Sequence, residues 1–193
     1  MLINTTTIAD STKTQEAAKQ PEFCFTTENK TLYVADRNCI ITKSIGEIIP
    51  GKTIHFYSWA NFNLVKLILY VLKQCGTSNV LMTSYSFSQK SIESLNYYKS
   101  AGLIADIKIL IDNRVKVMSP KPFQMLCKSF DYKCISVHAK VALIWNDKWH
   151  ITIVTSQNAT DNPKMERGII FTDKEIFDFD YKILTDEFNR GTT

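Results

Sequence analysis

No stretch of this 193-residue chain is apolar over the length a membrane span requires. The N-terminus, MLINTTTIADSTKTQ, lacks the basic-then-apolar layout of a secretory signal. The five cysteines (Cys24, Cys39, Cys75, Cys127 and Cys134) are odd in number and scattered, with no ligand-like spacing. That argues against a disulfide framework and against a zinc site, and points to reduced thiols in a cytoplasmic protein, several of them buried. No Asp/Glu cluster suited to magnesium stands out, and no internal repeat. Charge is also nearly balanced. Lys and Arg number 23 against 19 Asp and Glu, and the resulting +4 permits a nucleic-acid partner without demanding one. What is present is ordinary globular composition, 45% hydrophobic and 22% charged, enough for one domain with a sizeable core.

The chain reads as a flexible arm over residues 1–27, with at best a frayed helix near Gln15 to Lys19, followed by one domain over 28–193. TLYVA (31–35) and TIHFYS (53–58) have strand character, with Pro50-Gly51 as a turn between them. NFNLVKLILYVLKQC (61–75) repeats apolar residues at helical spacing, with an Asn cap and Gly76 just past its end. NVLMTSYSF (79–87) is a strand, Ser88 opens a helix through Tyr98 with Gly102 at its exit, and DIKILID (106–112) is a strand with Ile107, Ile109 and Ile111 on one face. A basic connection over 113–121 and a helical turn or two over 122–130 precede the most informative stretch. Lys174 to Phe188 closes the chain as a helix burying Phe177, Tyr181, Leu184 and Phe188. This order implies an α/β fold, a mixed β-sheet flanked by helices on both faces.

The stretch ISVHAKVALIWNDKWHITIVTSQNATDNPKMERGIIF (135–171) reads as a hairpin, a loop and a third strand. Alternation puts Ile135, Val137, Ala139, Val141 and Leu143 on one face and Ser136, His138 and Lys140 on the other. With a loop of Asn146 to Lys148, Trp145 faces Trp149 across the strands, His138 stands opposite Ser156, and Asn158 lies just beyond on the same face. An imidazole, an ammonium, a hydroxyl and a carboxamide then converge, which suits an anion. His55, in TIHFYSW, reads as a sheet residue, and His150 as an exposed residue of the turn region.

His138-Ala139-Lys140 followed by Thr155-Ser156-Gln157-Asn158 resembles the single motif of the phospholipase D superfamily: His-x-Lys on one strand, Gly/Ser-Ser-x-Asn at the end of its partner, and a Glu before the next strand, here Glu166. Two departures stand out. Thr155 replaces the usual Gly, and Trp145 occupies the position where the family carries an Asp after the Lys, Asp147 standing two residues further on. The resemblance covers roughly residues 28–190 and makes 28–193 a phospholipase D-like domain, although only the hairpin carries specific residues.

The resemblance implies a metal-independent phosphodiesterase that needs no cofactor. His138 attacks phosphorus to form a phosphohistidine, Glu166 holds its other ring N–H, and Lys140 and Asn158, assisted by Ser156, meet the developing charge. A second His is needed for the leaving group, and single-motif members supply it as a homodimer with one active site at the two-fold interface. Short members of this kind resemble the nuclease branch, so the expected substrate is nucleic acid, DNA rather than RNA. Arg114 and Lys116 are candidates for backbone phosphates, and Trp59 and Tyr85 for bases. The alternatives are a catalytically weak nucleic-acid-binding or regulatory module and, less favoured, a phospholipid phosphodiesterase. The latter would associate with membranes, for which no amphipathic basic helix stands out.

Overall fold

The computed structural model describes residues 30–34, 41–59 and 62–193, the side chains of 30–34, 43 and 44 excepted. The N-terminal arm expected over 1–27 lies outside the described residues. Among the described residues eight strands form one sheet: β1 (Lys30–Val34), β2 (Thr53–Trp59), β3 (Ser78–Ser84), β4 (Ile104–Asp112), β5 (Asp131–Ile135), β6 (Val141–Trp145), β7 (His150–Thr155) and β8 (Met165–Phe171). Their spatial order is β1-β2-β8-β7-β6-β3-β4-β5. β6 and β8 run against their neighbours, and the remaining six strands run parallel to one another. One rim of the sheet therefore gathers the carboxyl ends of β2, β3, β4, β5 and β7 with the amino ends of β6 and β8. In open α/β sheets this is the rim at which ligands bind.

Helices α1 (Ile41–Ile45), α2 (Leu64–Cys75), α3 (Gln89–Ser100), α4 (Val115–Met118) and α5 (Pro120–Ser129) join the strands, and α6 (Lys174–Arg190) ends the chain. Helix α2 forms where the periodicity predicts. Asn63 caps it by accepting the Lys66 N–H at 3.0 Å, Leu64, Leu67, Ile68, Val71 and Leu72 are buried, and Gly76 leaves it at φ 81°. The main core lies between the α2–α3 side and the sheet residues Val80, Met82, Ile107, Ile109, Ile111, Ala142, Ile144, Ile151 and Ile153. The opposite face carries a smaller cluster, Leu81, Leu110 and Leu143 against Phe177 and Phe188 of α6. The sheet is thus mixed and covered by helices on both faces. Each fully buried Leu or Ile contributes about 1.5–3 kcal/mol, and strict alternation along β3, β4 and β6 divides that contribution between the two cores. Of the apolar positions expected on the last helix, Phe177 and Phe188 are buried and Leu184 is half-buried, while Tyr181 remains 38% exposed with its ring stacked on Phe177.

The expected hairpin differs in two respects. ISVHAKVALIW is not one strand, since β5 ends at Ile135 beside β4, residues 136–140 connect, and β6 begins at Val141. Side chains take the backbone bonds that a continuous ladder would have made. Asp112 Oδ2 accepts the Val137 N–H at 3.2 Å, while Thr83 Oγ1 donates to the Ala139 carbonyl at 2.7 Å and accepts the Val141 N–H at 3.1 Å. The register also slips by one, because Trp145 pairs with His150. Asn146 Oδ1 accepts from both Lys148 N and Trp149 N, which holds a four-residue loop, and Trp149 packs on the main core instead of facing Trp145. A one-residue slip exchanges faces along the pair, so the predicted pairing of His138 with Ser156 is replaced by Lys140 beside Thr155, whose N–H donates to the Lys140 carbonyl at 3.0 Å. His150 is not an exposed turn residue either; it opens β7, half-buried, with its ring edge-on to Phe177. His55 is a strand residue, as expected, with Nδ1 2.9 Å from an Arg167 terminal nitrogen.

On α6, burial pushes the Asp180 carboxyl up from 3.8 to about 6. A raised native pKa means that the native state holds the proton more tightly, so the native state loses stability as pH rises through about 6. Asp180→Asn is therefore expected to stabilise the protein at pH 7.5 by roughly 1 kcal/mol, allowing for solvent screening, or about 2–4 °C in melting temperature. The difference should shrink toward pH 4. Melting curves at the two pH values check this, and an equal shift at both would refute it.

Candidate active site at the strand rim

Three residues after the end of β5, His138 projects from the connection with an exposed side chain. Lys140, just before β6, is only 6% exposed, and its Nζ lies 3.1 Å from His138 Nδ1, 3.3 Å from Nε2 and 2.6 Å from the His138 carbonyl, to which it donates. The ammonium thus lies against both ring nitrogens of an imidazole that faces solvent, and a nucleophilic imidazole needs one ring nitrogen with its lone pair free. Burial lowers the Lys140 pKa, and the charge of Glu166 opposes that shift. Glu166 is itself buried, at 8% exposure, opposite Ser58 in the β2–β8 ladder. Its two oxygens are engaged: Ser156 Oγ donates to Oε2, and Asn162 Nδ2 donates to Oε1 at 2.7 Å. His138 is not among its hydrogen-bond partners in the described residues.

The Ser156 hydroxyl is held from a second side by the Arg167 N–H at 2.9 Å. Asn158 is half-buried, its backbone carbonyl accepting the Leu64 N–H at the start of α2 and its Oδ1 lying 3.5 Å from Ser84 Oγ. Between them, Gln157 is buried and donates from Nε2 to Ser58 Oγ and the Phe62 carbonyl, both at 2.8 Å. These bonds fix the segment from Ser156 to Asn158 against β2.

On the other side of His138 stands Tyr85, its ring centroid 5.1 Å from the imidazole. The Arg114 guanidinium lies 4.6 Å above the same ring, and Lys140 Nζ 5.8 Å from it. Asp112, the last residue of β4 and only 2% exposed, accepts Arg114 N at 3.0 Å and Arg114 Nε at 2.9 Å. Burial raises the Asp112 pKa, but the bonds from Arg114 and Val137 outweigh it, so this carboxylate stays below the ordinary range and remains charged.

The rim thus gathers His138, Lys140, Tyr85 and Arg114 in one set and Ser156 and Glu166 in another, joined through Lys140 and Glu166, with Asn158 against β3. Trp59 ends β2 on the same rim, half-buried and opposite Met165. Lys116 is placed differently, turning its ammonium over Phe123, at 5.8 Å, and toward the Cys134 thiol. Residues the motif did not supply are Asp112, Thr83, Ser84 and Gln157. The signal available for the first three was a polar residue at the carboxyl end of a strand whose other residues are apolar.

No family model matches the chain, and no curated protein matches it in sequence. Solved structures do. NucT from Helicobacter pylori superposes with a TM-score of 0.55 at 15% identity, over 72% of this chain and 98% of that one. The fold is phospholipase D-like. Polyphosphate kinase from Porphyromonas gingivalis shares this phospholipase D-like fold, with a TM-score of 0.52 at 14% identity, over 68% of this chain and 25% of the kinase. Among the described residues, no helix is long and apolar enough to cross a membrane, and no three His, Cys, Asp or Glu side chains are grouped to hold a metal ion.

Proposed function

We propose that this protein is a phosphodiesterase that uses His138 as its nucleophile, and specifically an endonuclease acting on DNA. The observation that carries the reading is the exposed imidazole of His138 with a buried ammonium 3.1 Å from its ring nitrogen, on the rim where strand ends converge. A ring nitrogen of His138 attacks phosphorus, a P–N bond forms, and the P–O bond to the leaving oxygen breaks. A second imidazole protonates that oxygen. Water then attacks the phosphohistidine, the P–N bond breaks, and the phosphate product leaves with the nucleophile restored. Lys140 and Asn158 are the donors for the extra negative charge of the phosphorane, and Ser156, held by Glu166, borders the same space.

One copy of the chain offers one such imidazole at this rim, so the scheme calls for a homodimer in which two copies of His138 face one phosphate across a two-fold axis. Glu166 is proposed as the carboxylate that keeps this cluster of donors in place; within one copy it does so through Ser156 and through the charge of Lys140.

The test is cleavage of plasmid and single-stranded DNA in excess EDTA, with sizing of the active species against the 22.1 kDa chain. Cutting that persists in EDTA, by a species of twice that mass, is expected. Activity that EDTA abolishes, or that resides in the monomer, refutes the scheme. DNA binding without any cutting points instead to a regulatory module of the same fold.

A further inference from the structure

Arg114 is held at three points. Its backbone N–H and its Nε both end on Asp112 Oδ1, and its guanidinium plane rests on Tyr85. Those bonds leave the two terminal nitrogens without a partner among the described residues, on a side chain that is 63% exposed. Long surface arginines ordinarily spend their rotamer freedom when they bind; here it is already spent, and the free edge of the fork is the edge that matches two oxygens of a phosphate. The other oxygen of Asp112 accepts the Val137 N–H at 3.2 Å, one residue before His138. A single buried carboxylate therefore fixes both the arginine and the segment that carries the nucleophile. The same Tyr85 ring lies 4.6 Å from the guanidinium and 5.1 Å from the imidazole, and no bond joins those two groups among the described residues, an arrangement that suits neighbouring phosphates of one chain.

We propose that Arg114, set by Asp112 and Tyr85, binds the phosphate adjacent to the one attacked, so that the site selects a chain of phosphodiesters over an isolated one. Asp112 is the positioning residue of this subsite. The proposal rests on the phosphodiesterase reading above and adds the subsite by which the site would prefer a polynucleotide strand to a single diester.

The test compares wild type, Arg114→Ala and Asp112→Asn on bis(p-nitrophenyl) phosphate and on a single-stranded 12-nucleotide DNA. With Arg114→Ala, kcat/KM on the oligonucleotide should fall about tenfold or more beyond its fall on the small diester, chiefly through KM. Asp112→Asn should show the same asymmetry to a smaller degree. Arg114→Lys should not restore the wild-type ratio, because a point charge lacks the fork. Equal losses on the two substrates overturn the proposal, as does a larger loss on phosphatidylglycerol vesicles than on DNA. A second measurement needs no turnover: anisotropy of the fluorescent 12-mer on the His138→Ala protein. Adding Arg114→Ala should weaken Kd about tenfold and lower the slope of log K against log salt by about 0.7, one phosphate on a single strand. An unchanged slope overturns the subsite. Failure of wild type to cleave any diester would instead overturn the phosphodiesterase reading, and the binding result would still decide the subsite.

Discussion

His138→Ala is expected to lower DNA cleavage in EDTA on the order of 10⁴-fold or more while leaving the melting temperature where it was. Both halves follow from where the residue sits. If the imidazole forms the covalent bond, nothing else on this rim replaces it, because the nearest nitrogen is the Lys140 ammonium, which has no lone pair to give. The side chain is exposed and comes from a connection rather than a strand, so its removal opens no cavity and breaks no ladder bond, and the stability change should stay within about 0.5 kcal/mol. Lys140→Met separates the two roles more sharply. Lys140 is buried, its ammonium bonds the His138 carbonyl, and its charge faces Glu166. Its loss should therefore lower activity and also leave Glu166 without a nearby cation, so stability falls as well. Rates for the two variants beside their melting curves distinguish the roles. A His138→Ala protein that retains more than about a hundredth of wild-type cleavage would remove the nucleophile from this scheme.

The elements were legible wherever a local rule governed them. Asn63 and Ser88 cap their helices, Gly76 and Gly102 follow the ends of α2 and α3 with positive φ, and Ile107, Ile109 and Ile111 share a face of β4. The candidate residues that meet on the rim were singled out for a different reason: the spacing of a motif survives a change in local geometry. His138 and Lys140 reach the rim although they stand in a connection and not on a strand. What the sequence concealed were the decisions made by long-range side-chain bonds. Alternation through 135–143 holds at Ile135, Val141 and Leu143, which pack on the α6 side, but not between them, where Ala139 is exposed and Lys140 buried. It gave no sign that Thr83 and Asp112, from two other strands, would capture the backbone between them. The same holds for the loop. Asn146 reads as a turn residue, but its Nδ2 is tied to the Cys75 and Thr77 carbonyls and to Ser78 Oγ, and that anchor on α2 and β3 accompanies the fourth loop residue and the shifted register. Asp112 escaped notice as a site residue because in sequence it is merely the polar end of an isoleucine-rich strand.

Gly168→Ala is expected to be the most damaging small substitution in the sheet. Gly168 lies in β8 between Phe56 on β2 and Thr155 on β7, and a Cβ built there would stand 2.2 Å from Phe56 Cζ, 2.6 Å from Cε1 and 2.9 Å from Cε2. The backbone is not the obstacle, since Gly168, unlike Gly76 or Gly102, has no positive φ. Space is. Phe56 is fully buried, with Phe62 5.7 Å away between ring centroids, so the ring cannot simply swing into solvent. Overpacking of this kind costs about 3 kcal/mol when neither partner can yield, which in a chain this long lowers the melting temperature by about 6–12 °C. The strain should also reach the site. Glu166 lies two residues upstream on the same strand, in register with Ser58, and a displaced β8 disturbs its bond with Ser156. Cleavage should thus fall even at temperatures where Gly168→Ala remains folded. Phe56→Leu in the same protein supplies the control, because removing the ring vacates the space the new methyl needs. The double variant should be less destabilised than the sum of the two singles, a coupling of about 1 kcal/mol or more in thermal or urea unfolding. Additive losses would mean that the methyl is accommodated elsewhere and that Phe56 is not what keeps this position a glycine.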